Sequence, residues 1–240
     1  MSVELGAYRL GLWPTLITLP LVVLCLALGV WQIQRLHWKE GLIAERAATL
    51  QAPPVAPPAS LAQAKRLELR RTIERGVLLN DKEILVHAIA ADGAAGFDVL
   101  TPLREPGGRS VFINRGFVPT ALRDPAARPA AELRGTVQIA GRIVLPASPG
   151  LFVPGNQPDR GDWYRINIAA MAKADRLADV APFYIDADQT PNPGGWPEGG
   201  TMLPELPNHH LQYAITWFSL AAIGVYIYFK SQRQPRGAAT

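Results

Sequence analysis

The 240-residue chain contains a single cysteine, which excludes an internal disulfide and a cluster of thiolate metal ligands. Several enzyme motifs are also missing: a G-x-S-x-G elbow, a P-loop, a Rossmann glycine pattern and an H-E-x-x-H zinc motif. No basic stripe or nucleic-acid-binding motif stands out. These absences predict that the protein is not an enzyme of these classes and that nucleic acid is not a partner.

Charge is missing from two long stretches near the ends of the chain. The 25 positions between Arg9 and Arg35 and the 24 positions between Glu205 and Lys230 hold no Asp, Glu, Lys or Arg. About 20 apolar helical residues cross a hydrocarbon core about 30 Å thick. Both stretches are long enough, so we predict transmembrane helices over 10–33 and 208–229. The first also exceeds the apolar region of a signal peptide, which favours an uncleaved anchor.

The positions of the charges predict how the chain sits in a bilayer. Four basic residues and one acidic residue give the two short tails a net charge of +3. They are Arg9, Lys230, Arg233, Arg236 and Glu4. Short basic tails stay in the cytoplasm, while long domains cross largely regardless of charge. We therefore predict a bacterial inner-membrane protein with both termini cytoplasmic, including the tail 230–240, and the large middle domain periplasmic.

The middle of the chain changes from a helical to an extended pattern. Residues 34–64 contain a helical extension and a Pro-rich linker that favours a semi-rigid, extended spacer. Residues 65–190 contain short apolar runs separated by turn signals, with one helix over about 169–180. Residues 191–207 return to a Pro/Gly loop. The predicted fold class is a membrane protein of the α+β type, with two transmembrane helices flanking an extracytoplasmic, mainly antiparallel β domain that has one short helix.

The strand predictions follow the short apolar runs and the Gly/Pro turns between them. They cover 67–79, 83–90, 97–103, 110–118, 136–145, 163–168 and 183–185. An open sheet and a small barrel both fit this spacing.

Only isolated residues of the β domain suggest chemistry. Asp186 and Asp188 would point to the same side of a strand and could bind a cation, although a solvated strand end is the simpler interpretation. His87, in a predicted strand, is interpreted as an exposed or hydrogen-bonded side chain. Nothing in this domain requires an enzyme.

The most informative residues lie at the outer ends of the two predicted spans. Trp31, Arg35 and Trp38 fall at i, i+4 and i+7, so they share one helical face. This face is either an interfacial anchor, with an arginine extending to water, or an aromatic slot topped by a cation.

The second span begins with polar and aromatic side chains on one face, which small residues then extend. They are His210, Tyr213, Ala214, Trp217, Ala221 and Gly224. Small side chains let a neighbouring helix or a flat ligand approach closely. A neutral imidazole there could bind iron while its other nitrogen is held by a partner. Alternatively, His209 and His210 merely lie among lipid headgroups, and spacing alone leaves both interpretations open.

A set of motifs is spread over nearly the whole chain. It comprises Gly29, Trp31-Gln32, Arg35, Trp38-Lys39, Asp98, Thr101-Pro102-Leu103, Asn114-Arg115-Gly116, Pro119, Pro182-Phe183, Ile185-Asp186, Asn208, His210, Tyr213 and Thr216-Trp217. In content and order, these motifs resemble the surfeit-locus family of cytochrome c oxidase assembly proteins. The chain departs from that family at Phe117, where tryptophan is frequent, so the ring is retained but the indole donor is lost.

The resemblance implies a cytochrome c oxidase assembly factor, not an enzyme, that transiently binds haem a and assists its insertion into the catalytic subunit. It implies that His210, rather than the variable His209, is the iron ligand. The implied partners are the oxidase catalytic subunit, the lipid bilayer and, as a further candidate, haem a synthase.

The other site residues receive roles as hypotheses beside this ligand. Trp31, Trp38 and Trp217 would wall the macrocycle, Arg35 would pair with a propionate and Tyr213 would support the pocket. The alternative function is a haem-independent membrane scaffold that holds oxidase subunits or haem-synthesis enzymes during assembly, because the β domain is larger than a two-helix haem pocket needs.

Overall fold

The computed structural model describes residues 2–5, 8–148, 153–200 and 206–233. The described part of the chain divides into two compact units. One unit lies within Met1–Ala47 and Glu205–Thr240, and the other lies within Ala48–Pro204. The first contains the two long apolar helices and the second contains the β domain, which confirms the predicted arrangement of elements.

The described residues form four α-helices and eight strands, together with several short 3-10 turns. The helices are α1 (Leu12–Gln51), α2 (Leu61–Arg66), α3 (Ile168–Ala174) and α4 (His210–Gln232). The strands are β1 (Ser2–Leu5), β2 (Tyr8–Gly11), β3 (Arg71–Leu78), β4 (Ile84–Ile89), β5 (Ala95–Arg104), β6 (Ser110–Pro119), β7 (Thr136–Val144) and β8 (Val180–Ala187).

Helices α1 and α4 are long and apolar enough, by length and composition, to cross a bilayer. Their apolar side chains point outward around most of the circumference. For example, Ile17, Leu21, Ile223 and Ile227 are each more than half exposed. Apolar side chains all round a helix are typical of a membrane span or of a helix in a protein core, and little of either helix is buried within the chain.

The two helices pack against each other in antiparallel fashion. Near one end, the Thr15 hydroxyl lies 2.7 Å from the Tyr228 hydroxyl. Further along, Gly29 faces Phe218 so closely that a Cβ at Gly29 would lie 2.6 Å from the ring. Ala214 is buried in the same seam. Small residues at these two positions therefore let the helices approach closely; of the two partners that the sequence left open for the Ala214 face, the structure places a helix there.

The strands of the second unit form a closed barrel with one additional strand. The sheet order is β3-β7-β8-β6-β5-β4, and β3 also pairs with β5, which closes the sheet on itself. All pairs are antiparallel except β6 with β8. Closure removes the exposed edges that a short open sheet would leave.

The barrel interior is filled by alternate residues of its strands. In β3, buried and non-buried positions alternate along the whole strand, as expected for a strand with one face on the core. The interior cluster includes Leu78, Leu103, Ile113 and Phe183. At Gly76 a Cβ would lie 2.2 Å from the Arg104 carbonyl oxygen, so the β3–β5 closure requires glycine there.

A second apolar cluster lies outside the barrel, between its wall and α3. It contains Leu100, Phe112, Trp163, Met171 and Tyr184. The length of α3 differs from the prediction, because the helix ends at Ala174 rather than near residue 180. The strand that follows begins earlier than predicted, at Val180.

The predicted strand over 163–168 is wrong. Trp163 makes only an isolated bridge with Val86, in which Trp163 O accepts from His87 N at 2.8 Å. The following residues turn into α3, because the Asn167 side chain accepts a hydrogen bond from Ala170 N and caps the helix. A capping side chain therefore ends the extended run before it can join the sheet.

The Pro-rich segment after α1 runs along the barrel rather than standing free. Val55 N donates to Arg71 O at 2.8 Å, and the Thr72 hydroxyl donates to Val55 O at 2.9 Å. Farther along, Arg109 Nη1 donates to Pro58 O at 2.9 Å. Proline leaves its carbonyl free to accept, so this segment is held by side-chain donors as well as by the strand backbone.

Asp186 gives the stability of the β domain a predictable dependence on pH. Burial, with help from the nearby Asp98 charge, raises the pKa of Asp186 to about 7 from its ordinary 3.8. The folded state therefore binds a proton at Asp186 more tightly than the unfolded chain does. The stabilisation of the fold by this proton is fully present below about pH 4 and is lost as the pH rises to about 7.

We expect Asp186→Asn to flatten the fall in unfolding free energy between about pH 4 and pH 7. The amide keeps an oxygen for the hydrogen bond that Asn114 donates at 3.2 Å. Denaturant titrations of the full chain in detergent at several pH values measure this slope. The exposed Asp159→Asn is the matched control. An Asp186→Asn slope equal to that of the wild type would contradict the expectation.

Candidate functional site

The first residue of α4 and a residue near the middle of α1 form a hydrogen-bonded pair. His210 Nδ1 lies 2.7 Å from Gln32 Oε1. Gln32 is buried with 9% of its surface exposed, and His210 is half-buried. A short hydrogen bond to the buried Gln32 amide fixes the imidazole relative to α1.

The hydrogen bond also decides where the histidine carries its proton. An amide oxygen can only accept, so Nδ1 of His210 is the donor. In the neutral ring the lone pair is then on Nε2. An imidazole held through Nδ1–H with a basic Nε2 is the usual state of a histidine that ligates a metal. The arrangement therefore suits His210 to bind a transition metal through Nε2.

Packing between the helices keeps this pair together. Gln32 is one turn from Gly29, whose missing side chain admits the Phe218 ring. On α4, the buried Ala214 follows His210 by four residues, on the same face. A larger residue at Gly29 would push the helices apart and lengthen the contact between Gln32 and His210.

Trp31 and Trp38 lie on a different face of α1 from Gln32, whereas Arg35 follows Gln32 by three residues and is its neighbour along the helix. Successive helical residues are about 100° apart, so Trp31 points away from its neighbour Gln32. Trp31 is 50% and Trp38 54% exposed. The Arg35 guanidinium carbon lies 4.2 Å from the centre of the Trp38 ring, a cation–π contact. The structure thus brings Arg35 and Trp38 together on an exposed part of the α1 surface.

Tyr213 and Trp217 share the face of α4 that carries His210, as their spacing predicted. Tyr213 is 56% exposed, whereas Trp217 is half-buried. His209 is exposed and precedes the helix, where its carbonyl accepts from Tyr213 N at 3.2 Å. Of the two adjacent histidines, His210 is therefore the one whose ring is oriented by a buried partner.

The sequence pattern indicates no role for Gln32, which stands there only as part of the Trp31-Gln32 motif. A signal was available, because a polar amide inside a stretch without charge is costly unless a partner satisfies it. The partner lies 178 positions away, however, and no local spacing connects the two.

The carboxylates Asp186 and Asp188 occupy different environments. Asp186 is 3% exposed, so the interpretation of a solvated strand end is wrong for this residue. Asp188 lies beyond β8 and accepts from Thr190 N at 3.0 Å. Within the described ranges, no group of three or more His, Cys, Asp or Glu side chains could hold a metal ion.

His87 lies on β4 between two aromatic rings. Its ring centre is 4.7 Å from that of Tyr164, with which it stacks, and 4.8 Å from that of Phe97. Asp162 Oδ1 lies 3.9 Å from His87 Nε2. These contacts account for the histidine as a surface packing residue.

Comparison with known proteins places these elements in one family. The family model described as "SURF1 family" matches residues 19–222, a range that includes most of α1, the whole barrel and the first half of α4. The chain belongs to the SURF1 family. This membership confirms the resemblance that the motifs indicated, and the matched range contains both Gln32 and His210.

Relatives from distant organisms support the same assignment to the SURF1 family. The chain is 38% identical over 226 residues to a SURF1-like protein of Monosiga brevicollis, covering 89% of this chain and 84% of that protein. It is 35% identical over 225 residues to Surfeit locus protein 1 of Homo sapiens, covering 87% and 74%. Similarity to Surfeit locus protein 1 of Mus musculus is 35% over 218 residues, covering 85% and 70%.

Proposed function

We propose that this SURF1 family member is a membrane-bound assembly factor for cytochrome c oxidase that binds haem a through His210 and assists its insertion into the catalytic subunit. The observation that carries the proposal is the hydrogen bond from His210 Nδ1 to the buried Gln32 amide. It orients the imidazole at one end of an apolar helix pair, where the ring can offer Nε2 to an iron porphyrin.

The surroundings of His210 suit a large apolar ligand with acidic groups. The macrocycle is apolar and flat, and exposed aromatic rings of Trp31, Trp38 and Tyr213 are available to contact it. Arg35 offers a guanidinium that could pair with a propionate. The donor set on the chain therefore fits haem, and haem a is the cargo of the proposed function rather than a permanent cofactor.

Release of the cargo is as important as binding for an assembly factor. Two helices cover only part of a porphyrin, which leaves open sides for transfer to another protein. A single histidine ligand in a half-exposed position supports reversible binding better than an enclosed pocket would. The role needs no covalent catalysis, so the proposal describes a chaperone and not an enzyme.

The proposed location is a bacterial inner membrane with two spans. The outward-facing apolar side chains of α1 and α4 support lipid as the surroundings of both helices. The basic tails support cytoplasmic termini, and the β domain would then lie in the periplasm. The oxidase catalytic subunit and haem a synthase are the proposed protein partners.

A haem-independent scaffold remains the second candidate function. The observation that favours it is the size of the barrel unit, Ala48–Pro204, which greatly exceeds what two ligand-binding helices need. A scaffold would support oxidase assembly even when the chain cannot bind haem. The following experiment separates the two functions.

The decisive comparison uses a bacterial strain that lacks this chain and receives either His210→Ala or His209→Ala. We expect His210→Ala to lose bound haem a and most of the oxidase haem a content of the membranes. His209→Ala should keep both, because its ring has no buried partner in the described structure. Full oxidase assembly with a haem-free His210→Ala protein would instead support the scaffold.

A further inference from the structure

A basic groove lies on the outer wall of the barrel, where β3, β7 and the end of β8 meet. Its volume is about 630 Å³. The lining includes two arginines together with amide, hydroxyl and carboxylate groups. Those that matter for recognition are Gln51, Arg71, Arg142, Asp188, Gln189 and Thr190. The size lies within the range of about 300–1,000 Å³ that is usual for small-molecule sites.

The two arginines are direct cross-strand neighbours. Arg71 of β3 is opposite Arg142 of β7 in the antiparallel register. Side chains in such positions have Cβ atoms about 4.5–5.5 Å apart, and like charges placed there are destabilising. The barrel therefore places two arginines at opposite positions of neighbouring strands, both lining one groove, and this arrangement favours a negatively charged group there.

Asp188 neutralises the positive charge of the groove only in part. Asp188 Oδ2 lies 3.5 Å from Arg71 Nη2, in a pair whose arginine side chain is 42% exposed. The other Asp188 oxygen, Oδ1, already accepts from the Thr190 hydroxyl and from Thr190 N. A partly exposed ion pair at this separation neutralises Arg71 weakly.

Arg142 is less well satisfied than Arg71. Its Nε is buried and has no hydrogen-bond partner among the described residues. Asp186 is opposite it on β8, but burial raises the pKa of Asp186 to about 7. Near neutral pH this carboxyl group thus carries only part of a negative charge. The buried donor and the incomplete counter-charge both remain for a ligand to satisfy.

We propose that Arg71 and Arg142 form a binding site for an oxyanion, a carboxylate or phosphate group of a small ligand. Guanidinium groups bind such anions through paired N–H donors in a planar fork. Gln51, Gln189 and Thr190 supply further polar contacts for the rest of the ligand. The site goes beyond the proposed function, since its residues belong to the barrel unit and the site does not depend on haem.

The test is a calorimetric titration of the full chain in nonionic detergent with inorganic pyrophosphate and, separately, with citrate. We expect saturable binding of at least one probe, weakened at least tenfold by Arg142→Gln. The matched control is Arg75→Gln, which changes an exposed arginine on β3, the strand that carries Arg71, outside the groove lining, and should bind like the wild type. Unfolding curves of each variant verify that the barrel is intact.

Arg71→Lys provides a second variant for the case in which Arg142→Gln fails to fold. Lysine keeps the charge but loses the fork, so we expect clearly weaker binding with an unchanged unfolding curve. Dihexanoyl phosphatidylglycerol, compared with the corresponding phosphatidylcholine, tests the lipid headgroup as the source of the phosphate. Arg142-dependent binding of that lipid without binding of either free anion would overturn the small-ligand assignment. No binding of any probe, or equal weakening in Arg75→Gln, would overturn the site itself.

Discussion

Replacing Gly116 with alanine is expected to destabilise the β domain by about 3–6 kcal/mol, because backbone strain and a steric clash add together. Gly116 has a φ of +114°, which side chains other than glycine rarely adopt. An added Cβ would also lie 1.9 Å from the Glu198 carbonyl oxygen. That oxygen accepts from Phe117 N at 2.9 Å, so the clash also breaks a hydrogen bond that holds the chain around Glu198 against β6.

The measurement is the unfolding of the full chain in detergent, followed by circular dichroism. We expect the Gly116→Ala midpoint to fall by more than about 6 °C, given about 2–4 °C per kcal/mol for a chain of this size. Gly107→Ala is the matched control, since nothing lies within 4 Å of its added Cβ. Its effect should stay within about 0.5 kcal/mol. Equal midpoints for Gly116→Ala and the wild type would contradict the close contact between Gly116 and Glu198.

Replacing Gln32 with leucine is expected to weaken haem binding about 10–100-fold, the usual cost of removing the partner that orients a metal-ligating histidine. Leucine has a similar size and keeps the seam between α1 and α4 filled. It cannot accept from His210 Nδ1, however, so the ring loses both its fixed orientation and its preferred tautomer. Affinity should fall while the helix content is unchanged.

The affinity is measured by absorbance titration of the purified protein in detergent with extracted haem a. Gln34→Leu is the matched control, because Gln34 is exposed on the same helix, only two residues away. The control should bind like the wild type. Identical affinities for Gln32→Leu and Gln34→Leu would show that Gln32 does not position the ligand.

The long apolar elements were predictable because their signals are local. An uncharged stretch is enough to identify each long apolar helix. The helix α4 begins at His210, close to residue 208, where the second span was predicted to begin. The strands were predictable where apolar runs alternate with turns, as for β6, which begins at Ser110 as expected. The 163–168 run failed because the Asn167 cap outweighs the local strand propensity.

The remaining features depend on contacts between distant parts of the chain. Barrel closure rests on pairing between β3 and β5 together with the space left by Gly76, and no run of neighbouring residues encodes it. The hydrogen bond between Gln32 and His210 and the pairing of Arg71 with Arg142 also join residues far apart in the sequence, so local patterns do not predict them. Sequence spacing predicted which residue types gather on a helical face, but not which face meets the other helix.

The most direct test of the central claim is the visible spectrum of the purified protein loaded with haem a, recorded for the wild type and for His210→Ala with and without added imidazole. The account predicts that the wild type shows a histidine-ligated haem, that His210→Ala loses this spectrum, and that imidazole from solution restores it by occupying the vacated position. A His210→Ala spectrum identical to that of the wild type before imidazole is added would contradict the assignment of His210 as the iron ligand.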